Sequence, residues 1–265
     1  MVICFLNQRR REARALLEDC VARMSELVLM AAEARGARDL GACRRERTRR
    51  KSWSEADMRL KNKMAVVTGA HRGIGFAIAA ALAREGAIVL AADIIAKRPE
   101  FVGKSVDYMA MDVSLPLQWD DIEARLRREP GYLDILVNAA GITSGTAAVH
   151  EVALEDWDRI IAVNQTGVML GMRMATRMMR GRGGSIVNIA SIWGLVGSQG
   201  QIAYHASKAA VMGMSRDAAI TYARDGIRVN SIHPGLIGTE MVRPRARARG
   251  WHPGSDTDGQ NGRPR

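Results

Sequence analysis

Tyr204 and Lys208 stand four residues apart in Tyr204-His205-Ala206-Ser207-Lys208, and on a helix that spacing puts both side chains on one face. A phenol titrates near 10, too high for a base at neutral pH. A neighbouring ammonium stabilises the phenolate and lowers that value. The tyrosine then becomes a usable proton acceptor from an alcohol, or donor to a carbonyl. Upstream, Ser191 supplies a hydroxyl able to hydrogen-bond the reacting oxygen. Each group also has a plainer reading. A Tyr-x3-Lys pair by itself is more often a surface pair, and Ser191 by itself is a loop hydroxyl.

A second constellation binds rather than reacts. Residues 64–68 read as a strand, and Thr68-Gly69-Ala70-His71-Arg72-Gly73-Ile74-Gly75 leads from it into a helical stretch. Glycines at such a turn let the backbone approach a pyrophosphate, and the helix start offers unpaired N–H groups and a favourable dipole. Any tight turn needs glycines too, so the weight comes from the strand before and the helix after. Asp93 closes the second strand. A carboxylate there accepts hydrogen bonds from an adenosine ribose and repels a 2′-phosphate, which favours NAD over NADP. Arg72 pulls the other way, because a guanidinium beside the loop is suited to that phosphate.

Groups so far apart in the chain need a scaffold to gather them. Short apolar runs at 64–68, 87–92, 106–111, 133–137, 184–190 and 227–232 alternate with helical stretches at 73–85, 118–128, 154–180 and 204–224. The 154–180 stretch is long enough for two helical pieces, and its Met-rich part, 169–179, reads as packing surface. Near-continuous apolar strands between helices mark a parallel sheet covered on both faces. The expected fold is α/β, a doubly wound Rossmann-like sheet with six recognisable strands.

With these elements in place, a set of motifs in chain order resembles the short-chain dehydrogenase/reductase family, in its single-domain NAD(P)-binding branch. The set is the glycine turn 68–75, Asp112-Val113, Asn138-Ala139-Ala140-Gly141, Asn164, Ser191, the Tyr204 to Lys208 segment, and Pro234-Gly235 with Thr239, covering about residues 60–242. The resemblance implies hydride transfer between a nicotinamide and a secondary alcohol or ketone. Tyr204 would transfer the proton and Ser191 would orient the substrate oxygen. Lys208 would bind the nicotinamide ribose and depress the Tyr204 pKa. Asn164 would interrupt a helix and hold a water in a proton relay from Lys208. Gly69, Arg72, Gly73, Ile74, Gly75 and Asp93 would hold the phosphate and ribose end, and Asp112 and Val113 the adenine. Asn138, Ala139, Ala140 and Gly141 would line the cofactor, and Pro234, Gly235, Ile237 and Thr239 would meet its nicotinamide end. Residues 194–199 and Asn230-Ser231-Ile232-His233-Pro234-Gly235 are similar to relatives acting on cyclic secondary alcohols, ketones and hydroxysteroids. The alternatives are 3-oxoacyl thioester reduction with NADPH, and a dinucleotide-binding chain without catalysis.

The formal charge of +11 is concentrated before residue 61 and after residue 240, leaving the part between nearly neutral. A nucleic-acid-binding domain would carry its basic face on the folded part, so none is expected. No apolar run approaches the roughly 20 residues needed to span a bilayer, and no membrane partner is expected. Cys4, Cys20 and Cys43 match no zinc spacing, and their odd number argues against a disulfide framework. The histidines form no cluster, so no metal is expected, and the setting is cytoplasmic.

Residues 1–57 read as an Arg/Ala-rich extension, partly helical or disordered, with Leu16, Leu17, Val21, Met24, Leu27 and Val28 at helical spacing. Met58 is the expected natural start. Residues 58–242 form the Rossmann-like domain, and 243–265, dominated by Pro, Gly, Arg and Asp, a disordered tail. Family members continue past the Thr239 position into a lid, a further helix and a seventh strand, and those are not recognisable here. The sixth strand is therefore expected to be a bare apolar edge. The homo-oligomer usual for the family would lose much of its contact. The chain is expected to be poorly soluble or inactive.

Overall fold

The structure, a computed structural model, describes residues 2–4, 58–101, 105–235 and 237. The helix expected near 16–28, the tail 243–265 and Thr239 lie outside the described residues. Among those described, the strands are β1 (Val2–Cys4), β2 (Met64–Thr68), β3 (Ile88–Asp93), β4 (Val106–Ala110), β5 (Ile135–Asn138), β6 (Gly184–Ile189) and β7 (Ile227–Pro234). The helices are α1 (Gly73–Arg84), α2 (Pro116–Arg128), α3 (Leu154–Ile161), α4 (Gly167–Met179) and α5 (Ile202–Thr221). All strand pairs are parallel, in the order β1-β7-β6-β5-β2-β3-β4.

The expected six central strands are all present, and alternation along each one divides its side chains between two cores. Met64, Val66, Leu90, Leu136 and Ile186 face the layer built by α2, α4 and α5, where Trp119, Met174 and Val211 are buried. Ala65, Val67, Val89, Val137 and Val187 face the α1 side, with Ile78 and Leu82. Met172, Met174, Met178 and Met179 are buried on the inner face of α4, the packing role expected of that run. Burial on both sides is why β2 and β5 contain no polar alternation.

The order of the sheet reverses at β2, which pairs with β3 on one side and β5 on the other. Ligands of open α/β sheets lie beyond the carboxyl ends of the strands at such a reversal. The 154–180 stretch is indeed divided: a π turn, Ala162–Thr166, separates α3 from α4.

The bare edge expected beyond the sixth central strand is corrected at its carboxyl end only. Val2–Cys4, assigned from sequence to the N-terminal extension, pairs in parallel with the end of β7, Val2 opposite Ile232, Ile3 opposite His233 and Cys4 opposite Pro234. The seventh position in the sheet is thus filled from the start of the chain. The physical reason is general: an exposed strand end is a row of unpaired N–H and C=O groups, and any extended segment within reach can satisfy them. A run of three residues was too short to read as a strand.

Candidate active site

The first part of the site is the β2–α1 turn. Gly69 sits at φ +66°, and a Cβ at Gly75 would lie 2.2 Å from the Gly69 carbonyl oxygen. The helix start is therefore folded directly against the turn, and only glycine at 75 allows it. The N-cap Arg72 has extended backbone and makes no side-chain capping bond, and the first turn carries no acidic residue. Neither the N-cap side chain nor an acidic residue of the first turn accepts from the N–H groups of this helix start, which fits a phosphate. Asp93, at the end of β3, accepts from the backbone N–H of His71 (3.0 Å) and of Ile95 (3.1 Å). It ties the glycine turn to β3, and each carboxylate oxygen retains capacity for a ribose hydroxyl.

Two further predicted residues are held by their own loop. Asp112 accepts from Ser114 N–H at 2.9 Å and from its hydroxyl at 2.7 Å. Val113 is buried, and its carbonyl accepts from the Trp119 indole at 2.8 Å. On the other side of β2, the buried Thr68 hydroxyl accepts from both Ala139 N–H (3.1 Å) and Ala140 N–H (3.2 Å). That pair of bonds aligns the end of β5 with the glycine turn. Asn138 donates to the Asn188 side-chain Oδ1 at 2.8 Å, and Asn188 Nδ2 donates to the Ser215 hydroxyl at 2.9 Å. β5, β6 and α5 are joined by this buried line, and buried amides need such partners.

The chemistry-bearing groups meet where β6 ends against α5. Tyr204 lies in the first turn of α5 and Lys208 one turn later, so the helical spacing read from sequence holds. Lys208 is 4% exposed. Its Nζ lies 5.7 Å from the centre of the Tyr204 ring and donates to the Ile189 carbonyl at 2.8 Å. Burial lowers its pKa to about 8. Ser191 follows β6 and caps a short helical turn, its hydroxyl accepting from Trp193 N–H at 3.2 Å. The Trp193 and Tyr204 rings meet in a T-shaped contact, centroids 5.9 Å apart. A Cβ at Gly194 would come within 2.8 Å of the Lys208 backbone carbon. Glycine there is what lets the Ser191 turn lie against α5.

Asn164 lies inside the π turn and is fully buried. Its Oδ1 accepts from Ile142 N–H at 2.8 Å, and its Nδ2 donates to the Ile142 carbonyl (2.9 Å) and the Ser207 hydroxyl (3.2 Å). The extra residue in a π turn is a common device for aiming one side chain. A Cβ at Gly141 would stand 3.4 Å from both Asn164 Oδ1 and Lys208 Nζ, so these two groups share one small space.

Gly69, Arg72, Gly73, Ile74, Gly75, Asp93, Asp112, Val113, Asn138, Ala139, Ala140, Gly141, Ser191 and Pro234 with Gly235 all lie at or just past carboxyl ends of strands. Tyr204 and Lys208 reach that rim from α5, and Asn164 from the π turn. Ile237 is buried among the α1-side core residues. Sequence reading gave no role of their own to four residues that brace the candidate site: Thr68, Trp193, Gln201 and His233. Gln201 is buried, accepts from the Thr143 hydroxyl at 2.8 Å and donates to the Gly145 carbonyl at 3.1 Å, tying the loop after β5 to the start of α5. Only His233 carried a signal, as a polar residue at the end of an apolar strand. No described helix is long and apolar enough to cross a membrane.

Comparison with known proteins gives the same outline. Residues 63–250 match the family described as short chain dehydrogenase. The 3-alpha-(or 20-beta)-hydroxysteroid dehydrogenase of Mycobacterium tuberculosis is 40% identical over 189 residues, 69% of this chain and 72% of its own. A 3-oxoacyl-(acyl-carrier-protein) reductase of Thermotoga maritima is 40% identical over 193 residues, 70% of this chain and 78% of its own. The cyclopentanol dehydrogenase of Comamonas testosteroni is 38% identical over 194 residues, 70% and 77% of the two chains. Among solved structures, a short-chain type dehydrogenase/reductase from Mycobacterium marinum is similar with a TM-score of 0.69 at 36% identity, over 72% of this chain and 79% of that one.

Proposed function

This chain belongs to the short-chain dehydrogenase family, and on that premise we propose that it oxidises a cyclic or otherwise bulky secondary alcohol, or reduces the matching ketone, with NAD. When bound, the nicotinamide supplies the hydride chemistry. Everything else falls to residues of the chain. Tyr204 passes the proton to or from the substrate oxygen, and the Ser191 hydroxyl hydrogen-bonds that oxygen. Lys208 holds positive charge beside the Tyr204 ring and makes the phenolate accessible. Asn164, which shares a small space with Lys208 Nζ, positions a water through which the proton leaves. The observation that carries this reading is Lys208, a lysine buried against the tyrosine ring although its burial costs stability.

Asp93 supports NAD, since its carboxylate stands beside the glycine turn where a 2′-phosphate would have to sit. The uncapped first turn of α1 takes the pyrophosphate, and Pro234, Gly235 and Thr239 the nicotinamide end. The reacting unit in this reading is residues 58–242, with Val2–Cys4 added at the sheet edge. Its setting is cytoplasmic and its partner a small alcohol or ketone, the class named for its hydroxysteroid and cyclopentanol relatives.

The test is turnover by the purified full chain. NAD or NADP is offered with cyclopentanol and a 3α-hydroxysteroid, and nicotinamide absorbance is followed, with Tyr204→Phe as control. Reduction of NAD that vanishes in Tyr204→Phe supports the reading. Nucleotide binding without turnover of any alcohol or ketone overturns it. The equally similar Thermotoga relative favours a second reading, 3-oxoacyl thioester reduction. It predicts turnover with NADPH and an acetoacetyl thioester in place of the alcohols.

A further inference from the structure

His233 is completely buried at the end of β7, next to Pro234-Gly235, and the reaction described above does not use it. A polar side chain in that position must find partners or destabilise the fold. It has two. Its Nδ1 lies 3.1 Å from the Ser191 carbonyl oxygen and its Nε2 lies 2.9 Å from the Ser231 hydroxyl. A carbonyl only accepts, so Nδ1 carries the hydrogen. In a neutral ring Nε2 then holds a lone pair, and the Ser231 hydroxyl donates to it. Ser231 and His233, two apart on one strand, share a face, so the strand itself presents the hydroxyl to the ring.

The ring is kept neutral by its surroundings. Burial lowers its pKa below the ordinary imidazole value; the bond to Ser191 opposes this, while the positive charges of Arg216 and Lys208 add to it. The Nδ1–H is therefore a fixed donor aimed at the backbone of Ser191. The neighbouring groups of the same stretch are also gripped. Lys208 Nζ donates to the Ile189 carbonyl at 2.8 Å, and Ala190 N–H donates to the Ile232 carbonyl at 2.8 Å. Three consecutive residues leaving β6 are thus held by α5 on one side and β7 on the other, and His233 holds the last of them.

We propose that His233 is a positioning residue for proton transfer: its Nδ1–H clamps the Ser191 carbonyl, which fixes where the Ser191 hydroxyl is presented to the substrate oxygen. The proposal rests on the dehydrogenase reading above. Displacements of about 1 Å near a reacting group cost on the order of 100-fold in rate, so a backbone clamp one residue long can matter.

The test uses three variants whose activity and stability orders differ. In His233→Asn the amide N–H stands near the Nδ1 position. In His233→Gln it stands near the Nε2 position and reaches Ser231 instead, and His233→Leu reaches neither. Expected is kcat for His233→Asn within about threefold of wild type, with His233→Gln and His233→Leu lower by about 10- to 100-fold, KM and NAD affinity barely changed. His233→Asn removes the most volume, so its Tm falls at least as far as that of His233→Gln. Activity that instead follows Tm, with His233→Asn worst, overturns the proposal. If these variants do not fold, two measurements remain. Ring 15N NMR of histidine-labelled wild type is expected to show an Nδ1–H tautomer for the buried histidine, and an Nε2–H tautomer overturns the clamp. Ser231→Ala, a small change, removes only the donor to Nε2, so the Nδ1–H tautomer is expected to persist and kcat to stay within about threefold of wild type; a switch to the Nε2–H tautomer with unchanged kcat overturns the clamp. Wild-type turnover is measured first. Its absence counts against the dehydrogenase reading, whereas the variant order and the tautomer count against His233.

Discussion

The two sides of the site are built from different material. In the proposed reading, the groups offered to a ligand on the β2–β3 side are mainly backbone N–H groups of the α1 start, arranged by Gly69 and Gly75 and steadied by Asp93. On the β6–β7 side they are side chains: Ser191, Tyr204 and Lys208, with Asn164 and His233 behind them, most of them buried. A backbone site costs little, because its donors exist in every chain and only the turn has to be right. A side-chain site has to bury polar and charged groups, and each must be compensated by a partner. The binding side is therefore tolerant of chemistry and intolerant of volume. The reacting side is intolerant of both, since Gly194 leaves no room for a Cβ beside Lys208, and it is where stability is given up.

The largest effect should fall on the reacting side. Tyr204→Phe is expected to lower kcat by about 10²- to 10⁴-fold with NAD affinity and Tm nearly unchanged. A calorimetric titration that found NAD binding equally weakened would blur the division between the two sides. Gly75→Ala makes the complementary break. Its Cβ would meet the Gly69 carbonyl at 2.2 Å, so the turn must open, and NAD affinity should fall about 10- to 100-fold, the equivalent of about 1–3 kcal/mol of overpacking. Unaltered affinity in the same titration would mean that the amides of this turn do not hold the phosphates.

Lys208 sharpens the claim about stability. Its folded pKa of about 8 lies below the ordinary 10.5. Between those limits the unfolded chain holds a proton that the folded chain has lost, so stability from this group rises with pH across that window and is least below it. Lys208→Met should lack that slope. At pH 7 it should gain about 1–3 kcal/mol over wild type, less what the Ile189 carbonyl loses with its donor, while turnover is lost. Urea unfolding of both proteins from pH 7 to 10 checks the sign. The smallest effect concerns nucleotide choice. Asp93→Asn should shift the NAD to NADP preference by about tenfold toward NADP, read as the ratio of kcat/KM for the two.

Much of this was legible in the residues themselves. Six apolar runs became the six central strands, β5 closing at Asn138 and β7 running on to Pro234. The Tyr204–Lys208 pair and the glycine turn stand in the elements expected of them. Two of the residues given no role of their own act across long separations. Thr68 meets Ala139 across 71 positions, and His233 meets Ser191 across 42. Nothing in the local pattern of either residue announces its partner.

The sequence by itself determined what is local. A period of two or of 3.6 residues, a glycine where a Cβ would collide, and a tyrosine and a lysine one turn apart are properties of short stretches, and they specify strand, helix, turn and reactive pair. The tertiary structure decided everything that depends on register. Parallel strands are joined by long crossovers, so which carbonyl meets Lys208, which backbone His233 clamps and which segment covers the end of β7 follow only from how strands align. Val2–Cys4 shows this most plainly: three residues too few to read as a strand become one because β7 offers them unpaired hydrogen-bonding groups.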